Sequence, residues 1–415
     1  MAKAGASRNE NREATLLLLA RTIREVAFGF ISIVLPVYWH DQGYPILVIG
    51  LLYSVALLGS SVLSMAMGRF IDRLGRKRIL VLSSILWTLT TPLLLTSKNV
   101  GVIGLVMLVG SISPTGKEVG LFLGVEQAML SRLFAGQRRT NTYAWFNLVG
   151  YSATAIGALL AAAIGIANTQ SQASEISTAM FRTVIVAYSL AGVIQLLLYG
   201  LLKPIVERQQ GALGEVEHRV PPPSTRKLIH LLSALYALDS FAAGLIVQGI
   251  LVYWFRVRYH LDLRSLGLIF FGTNVLSALS SLVAARIARR IGLLNTMVFT
   301  HLPSNLLLML VPFMPDAGLA VTVLLMRHLL SQMDVPTRQA YAMAMVDAPD
   351  RGYLGAWTNG ARTLGTGATP ILSGALLTLS FSGLPFFLAG GLKIVYDLSL
   401  LFTFRKVPLD FSEKT

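Results

Sequence analysis

GRFIDRLGRKR, residues 68–78, is a short basic segment between two apolar runs, 46–68 and 79–97. Its glycines permit tight turns and close approach of the flanking helices. Its Lys and Arg side chains hold such a segment on the cytoplasmic face of a membrane. The segment has this meaning only if the runs on either side cross lipid, and the rest of the chain bears on that point.

The 415-residue chain is 54% hydrophobic and 13% charged, with positive mean hydropathy, which is far from the composition of soluble globular domains. Crossing a hydrocarbon layer of about 30 Å as a helix takes about 20 apolar residues. Runs of that kind recur at 15–39, 46–68, 79–97, 100–131, 142–168, 180–202, 228–254, 265–285, 293–314, 317–346, 354–379 and 382–404. The expected fold is therefore an all-α integral membrane protein with twelve transmembrane helices. The formal net charge of +15 does not call for nucleic acid, because most Lys and Arg fall in segments on the same side as the N-terminus. That asymmetry places both termini in the cytoplasm of a multi-pass protein of the plasma or inner cell membrane. Without cysteine, disulfides, thiolate metal sites and cysteine catalysis are excluded. Residues 1–14 are polar and the first apolar run has no small-residue cleavage site, so the first helix reads as uncleaved.

The longest hydrophilic stretch, Lys203 to Lys227, contains Pro221-Pro222-Pro223 and charges of both signs, and reads as a cytoplasmic linker. It separates residues 1–202 from 228–415, with six runs on each side. The two halves repeat. AFG at 27–29 and VYW at 37–39 match AAG at 242–244 and VYW at 252–254 with an offset of 215. Gln127-Ala128, Arg139 and Ala144-Trp145-Phe146-Asn147 match Gln339-Ala340, Arg351 and Ala356-Trp357-Thr358-Asn359 with an offset of 212. A duplicated six-helix unit is the simplest source of both registers.

With twelve runs in two halves established, GRFIDRLGRKR resembles the signature loop of the major facilitator superfamily, G-x-x-x-D-R-x-G-R-[KR]. The matching residues are Gly68, Asp72, Arg73, Gly75, Arg76 and Lys77, between the second and third runs. The resemblance covers nearly the whole chain and implies two six-helix bundles, with spans 1, 4, 7 and 10 lining a central pathway. It also implies that the loop around Asp72 is a cytoplasmic latch of the outward-facing state. The second copy, ARIARRIGLLN at 285–295, is degenerate: aligned on Gly75 and Gly292, it has Arg289 for Asp72, and Leu293 and Leu294 for Arg76 and Lys77.

Ionisable residues inside membrane helices cost about 2.5–3.5 kcal/mol each at the helix centre on insertion scales, so each is a functional candidate. They are Arg21, Arg24, Glu25, Lys117, Glu118, Glu126, Asp239, Arg327, Asp334, Arg338 and Arg362. Three fall in GSISPTGKEVGLFLGVEQAML, residues 110–130, where Ser113-Pro114 and glycines interrupt the fourth run. The repeat sets Arg24 against Asp239 and Glu126 against Arg338, opposite charges at equivalent positions. Two gating pairs across the halves are therefore expected, Arg24 with Asp239 and Glu126 with Arg338. Arg21–Glu25 and Asp334–Arg338 are also spaced for pairing within one helix. Glu118 and Asp334 lie nearer mid-membrane and suit reversible protonation. Lys117, Arg327, Asn359 and Arg362 are candidates for solute contact. Arg327, Asp334 and Arg338, seven and four residues apart, share one face of the tenth helix, a stripe expected to face the pathway. Lys393 with Asp397 reads as a structural pair of the last helix, and His301 and His328 as packing or hydrogen-bonding residues.

Catalysis has no support. Gly110 and Gly116-Lys117 are spaced wrongly for a phosphate loop, Glu118 stands where it needs a hydroxyl, and no protease or hydrolase motif is present. No metal and no cofactor are expected. The function expected is secondary transport of a small solute by a monomer in the lipid bilayer, with protons as coupling ion and efflux by antiport as the mode. The alternatives are an importer or facilitator of an anionic metabolite, using Lys117, Arg338 and Arg362, and a non-transporting sensor or scaffold of the same fold.

Overall fold

Twelve spans, all helical, follow one another through the computed structural model, which describes residues 2–68, 74–117, 121–134, 136–170, 176–203 and 221–405. The elements are α1 (Ala2–Asp41), α2 (Ile46–Gly68), α3 (Arg76–Thr90), α4 (Val100–Val109), α5 (Leu121–Leu133), α6 (Gly136–Gln170) and α7 (Thr178–Gly200). After the linker come α8 (Pro223–Gly244), α9 (Gln248–Tyr259), α10 (Leu263–Ile291), α11 (Leu293–Leu310), α12 (Ala317–Ser331), α13 (Asp334–Ala344), α14 (Arg351–Leu377) and α15 (Leu384–Phe404). Eight helical stretches among the described residues are long and apolar enough to cross a membrane alone, and α4 and the start of α5 are shorter apolar helices.

Among the described residues four spans are interrupted: the third at Thr91 and Pro92, the fourth between α4 and α5, the seventh between α8 and α9, and the tenth between α12 and α13. Irregular backbone at membrane depth persists only where its polar groups find partners. In the fourth span Ser111 and Gly116 take left-handed backbone angles. There the Ser113 hydroxyl donates to the Lys117 carbonyl (2.5 Å), and the Lys117 amide donates to the Thr115 hydroxyl (3.2 Å). The break of the seventh span supplies more: the Gly249 amide donates to the Pro114 carbonyl at 2.9 Å.

The chain divides into two units, Met1–Ala212 with Gln248–Phe271, and Leu213–Val247 with Gly272–Thr415. Each contains the same close helix contact. In the first, a β-carbon on Gly29 of α1 would overlap the Thr154 carbonyl of α6; in the second, one on Gly244 of α8 would overlap the Thr366 carbonyl of α14. Gly29 and Gly244 stand 215 apart and Thr154 and Thr366 stand 212 apart, the two registers read in the sequence. Only glycine lets these backbones approach so closely.

The basic loop shows why its second glycine and its lysine are there. Gly75 has φ 85° and Gly292, its counterpart, φ 84°, both forming left-handed turns into α3 and α11. Lys77 Nζ donates to the carbonyls of Gly200 (2.8 Å) and Leu202 (2.6 Å), capping the end of α7. A cation at the carbonyl end of a helix is favoured by both hydrogen bonding and dipole. Leu294 in the degenerate copy has no donor for this. Asp72 and Arg73 lie outside the described residues, as does Glu118.

Candidate functional site

In the first unit Arg24 of α1 and Glu126 of α5 are fully buried and paired as a fork, Nη1 to Oε1 at 3.0 Å and Nη2 to Oε2 at 2.6 Å. Tyr199 of α7 accepts from Arg24 Nη1 and donates to Glu126 Oε1, both at 2.7 Å, and Gln195 Nε2 donates to the same hydroxyl. The guanidinium also lies over the Phe122 ring, 4.8 Å from its centroid. One turn earlier, Arg21 pairs with Glu25 at 3.2 Å and sits over Phe146 of α6, and Thr154 donates to Glu25.

In the second unit Asp239 of α8 takes the place equivalent to Arg24, and Arg338 of α13 that of Glu126. They pair at 2.8 Å. Asp239 also binds Lys393 Nζ of α15 at 2.5 Å, and Arg338 also binds Asp334 at 3.1 Å within its own helix. Arg338 faces the Tyr236 ring, and the Tyr236 hydroxyl donates to its carbonyl. Asp397 of α15 accepts from Asn305 (3.0 Å) and meets His301 Nδ1 at 2.9 Å, both on α11.

This arrangement corrects two expectations. Where pairs across the halves, Arg24 with Asp239 and Glu126 with Arg338, were expected, Arg24 meets Glu126 and Asp239 meets Arg338, each within its own unit. The repeat maps one helix pair onto the other, and the polarity of the pair is inverted between copies. Lys393 and Asp397, expected to neutralise each other, instead reach different helices, because a long lysine stem carries its ammonium to Asp239 while Asp397 is held by His301 and Asn305. Of the within-helix alternatives, both Arg21–Glu25 and Asp334–Arg338 are formed.

The remaining candidates are dispersed. The Lys117 ammonium lies 5.4 Å from the centroid of the Tyr151 ring. Arg327 of α12 is buried, with Nη1 3.2 Å from His328 Nε2, and the break at Gln332 and Met333 removes it from a continuous stripe with Asp334 and Arg338. Arg362 of α14 donates to the Ser240 hydroxyl at 3.2 Å, and Asn359 is exposed.

Sequence reasoning missed a charge pair that does obey the repeat. Asp41 and Arg256 are 215 residues apart, at the ends of α1 and α9, and join at 3.1 Å. Gln248 Nε2 donates to Ser32 Oγ at 2.8 Å on the same seam. The Ile176 amide donates to the second Asp41 oxygen, and Arg256 Nη1 to the Leu261 carbonyl. The offset would have found Asp41 and Arg256, had charges at span ends been compared as those inside spans were.

The sequence profile of the Major Facilitator Superfamily matches residues 17–331. The chain is 24% identical over 433 positions to the uncharacterized membrane protein YJR124C of Saccharomyces cerevisiae, an alignment covering 96% of this chain and 95% of that one. Among solved structures it resembles the nucleoside transporter NupG (TM-score 0.70, 14% identity, 95% and 99% of the two chains). It also resembles the inward-open xylose transporter XylE from E. coli (0.70, 15%, 96% and 98%) and the human organic anion transporter MFSD10 (0.65, 17%, 94% and 99%). With two repeated units of membrane helices and a profile match over most of its length, the chain is a multi-pass membrane transporter of the major facilitator superfamily.

Proposed function

We propose that the chain moves a small solute across a cell membrane by alternating access coupled to protons, with both termini in the cytoplasm. The observation that carries this reading is the seam between α1 and α9. Equivalent residues of an internal repeat meet where the helices converge, and the seam consists of a few polar bonds: Asp41–Arg256, Ser32–Gln248 and the Pro114–Gly249 backbone pair. Bonds of this number and kind are separable at modest cost, as an outer gate requires. The buried pairs, Arg24–Glu126 and Asp239–Arg338, fasten α1 to α5 and α8 to α13, so that each set moves as a body when the gate opens. The loop at 68–78, anchored through Lys77 on α7, serves the cytoplasmic side, with Asp72 as its latch.

The absence of native cysteine makes the gate directly testable. With Asp41→Cys and Arg256→Cys joined by a bifunctional reagent that links them through disulfide bonds, pH-driven solute uptake into proteoliposomes should fall to background and return on reduction. Full transport in the crosslinked state would remove the seam from the mechanism.

Proton coupling rests on Asp334. Arg338 Nη1 is shared between Asp334 and Asp239, so a proton on Asp334 breaks one of two buried ion pairs and leaves Arg338 to Asp239 alone. Glu118 remains the proposed partner site on the fourth span. The charge of the solute fixes the sign of coupling. A cation competes with the proton for Asp334 and is exported in exchange for it, whereas an anion is drawn in by the same protonation and travels with it. Asp334→Asn should abolish pH-driven accumulation while downhill exchange continues at a comparable rate. Unchanged pH dependence in that variant would exclude Asp334 as the coupling site.

A further inference from the structure

We infer that the second unit holds a buried proton-binding site made of His301 and Asp397, and that this proton fastens the last span, α15, to α11. The site lies on the ninth and twelfth spans, outside the four that the family resemblance assigns to the pathway, and it does not depend on the transport reading.

Both residues lie deep in a helix contact. By the helix rise, His301 is about 12 Å from the start of α11 and Asp397 about 10 Å from the end of α15, within a hydrocarbon layer about 30 Å thick. They are 4% and 1% exposed, and His301 Nδ1 lies 2.9 Å from Asp397 Oδ1. Asn305 Nδ2 donates to Asp397 Oδ2 at 3.0 Å. Two turns along α15, Gly390 lets the helices close up: a β-carbon there would meet the Asn305 carbonyl and the Met309 side chain. The pair is not part of the duplicated framework. On the register that aligns Gly75 with Gly292, His301 corresponds to Ser84, which bonds back to the Leu80 carbonyl of its own helix.

Among the described residues no Lys or Arg lies within ion-pair distance of Asp397, so its counter-charge can come only from His301. Asp334, Arg338, Asp239 and Lys393 form a chain of alternating sign, two acids and two bases, that is neutral in itself. Lys393 is four residues from Asp397 on the same helix, yet its ammonium is committed to Asp239. The other elements packed on α11 and α15 are similarly engaged. Arg327 and His328 of α12 lie against each other, and His328 reaches Ser277 of α10. Arg362 of α14 donates to Ser240, and Tyr236 and Tyr341 donate to backbone carbonyls. The Tyr396 ring meets the His301 ring edge-on, with centroids 6.2 Å apart.

A carboxylate has about four acceptor sites. With a neutral His301, Asp397 would have only an imidazole N–H and an amide N–H to replace its hydration at membrane depth. A buried carboxylate so placed is strongly unfavourable. One more proton makes the pair neutral overall, either as imidazolium with carboxylate or as imidazole with carboxylic acid. The proton belongs to the pair, and both forms keep the hydrogen bond. Asn305 serves either form: its Nδ2 donates to a carboxylate, and its Oδ1, buried without a partner, accepts from a carboxylic acid once the amide turns over. Release of the proton leaves a neutral imidazole beside an ionised Asp397, and α15 loses its neutralised contact with α11.

The test uses the purified full-length protein in phosphatidylcholine nanodiscs. In nuclear magnetic resonance of isotope-labelled histidine, the His301 ring signals are those missing from His301→Gln; in the infrared, the carboxylic-acid band of Asp397 is the one missing from Asp397→Asn. At about pH 7 the wild type should show either both His301 ring nitrogens protonated or a protonated Asp397. His301→Gln keeps a donor to Asp397 but cannot carry the charge. Its thermal midpoint at about pH 8 should fall below those of wild type and Asp397→Asn, and adding Asp397→Asn to it should restore most of the loss. Raising the pH from about 6 to about 9 should lower the wild-type midpoint more than that of the double variant, because only the wild type has this proton to give up. A singly protonated His301 beside an ionised Asp397 in the neutral sample would overturn the site. So would a His301→Gln midpoint equal to wild type, since a neutral donor would then suffice, and so would equal pH dependence in wild type and double variant. If His301→Gln does not fold, the infrared band and the ring signals that shift in Asp397→Asn decide the question.

Discussion

Exchanging the charges of the first unit's buried pair, Arg24→Glu with Glu126→Arg, is expected to restore most of the stability that either reversal alone removes. Each single reversal places two like charges in contact with no access to water. Even removing one partner of a buried pair costs about 3–5 kcal/mol, so the singles should be largely lost as monodisperse protein. The double variant keeps one positive and one negative group in the same pocket. Tyr199 and Gln195 can serve either orientation, since a phenol hydroxyl and an amide both donate and accept. Restoration should be incomplete, because the contact of Arg24 with the Phe122 ring, 4.8 Å away, has no counterpart for a carboxylate. Contacts of that kind contribute about 0.5–2 kcal/mol. Fluorescence-detected size-exclusion after heating gives the midpoints. The control is Glu126→Arg with Arg338→Glu, the pair suggested by the repeat alone. Those residues belong to separate clusters, so that double variant should be worse than either single. Rescue there, with none for Arg24 and Glu126, would reverse the assignment.

The contrast between those two variants marks how far the sequence could be read. Hydropathy located the spans, and the offsets of 215 and 212 identified equivalent residues, because both depend on local composition. The same offsets cannot choose partners. Opposite charges at equivalent positions arise when the two residues face each other near the repeat axis, and equally when each half has its own pair with reversed polarity. Distance from the axis decides, and sequence does not encode it directly. Asp41 and Arg256 meet where α1 and α9 converge; Arg24 and Asp239 each have a partner on another span of their own unit. The breaks at 110–117 and 332–333 show a different limit. Ser113-Pro114 announces the first and Pro336 the second, because a proline has no N–H for the Gln332 carbonyl four residues back. Sequence reasoning missed the second signal, and that break separates Arg327 from the residues with which a continuous helix would have aligned it.

Asp239→Asn should be among the most damaging neutral substitutions in the second unit, and Lys393→Met should partly cure it. Asp239 holds two cations from two other helices, Arg338 at 2.8 Å and Lys393 at 2.5 Å. Arg338 keeps Asp334 when Asp239 is neutralised, so its loss is partial. Among the described residues Lys393 hydrogen-bonds only the Asp239 carboxylate and carbonyl, is 5% exposed, and would be left without an ion-pair partner, since Asp397 on the same helix is held by His301 and Asn305. The expected loss is therefore about 3–5 kcal/mol, dominated by Lys393. Methionine approximates the length and volume of the lysine stem and carries no charge. In the Asp239→Asn background it removes the unpaired cation, and the double variant should regain at least half of the lost midpoint shift. Lys393→Met alone should be milder, because Arg338 still balances Asp239. If the double variant is no more stable than Asp239→Asn, the damage arises at Arg338 instead, and α13 rather than α15 is the helix that Asp239 secures.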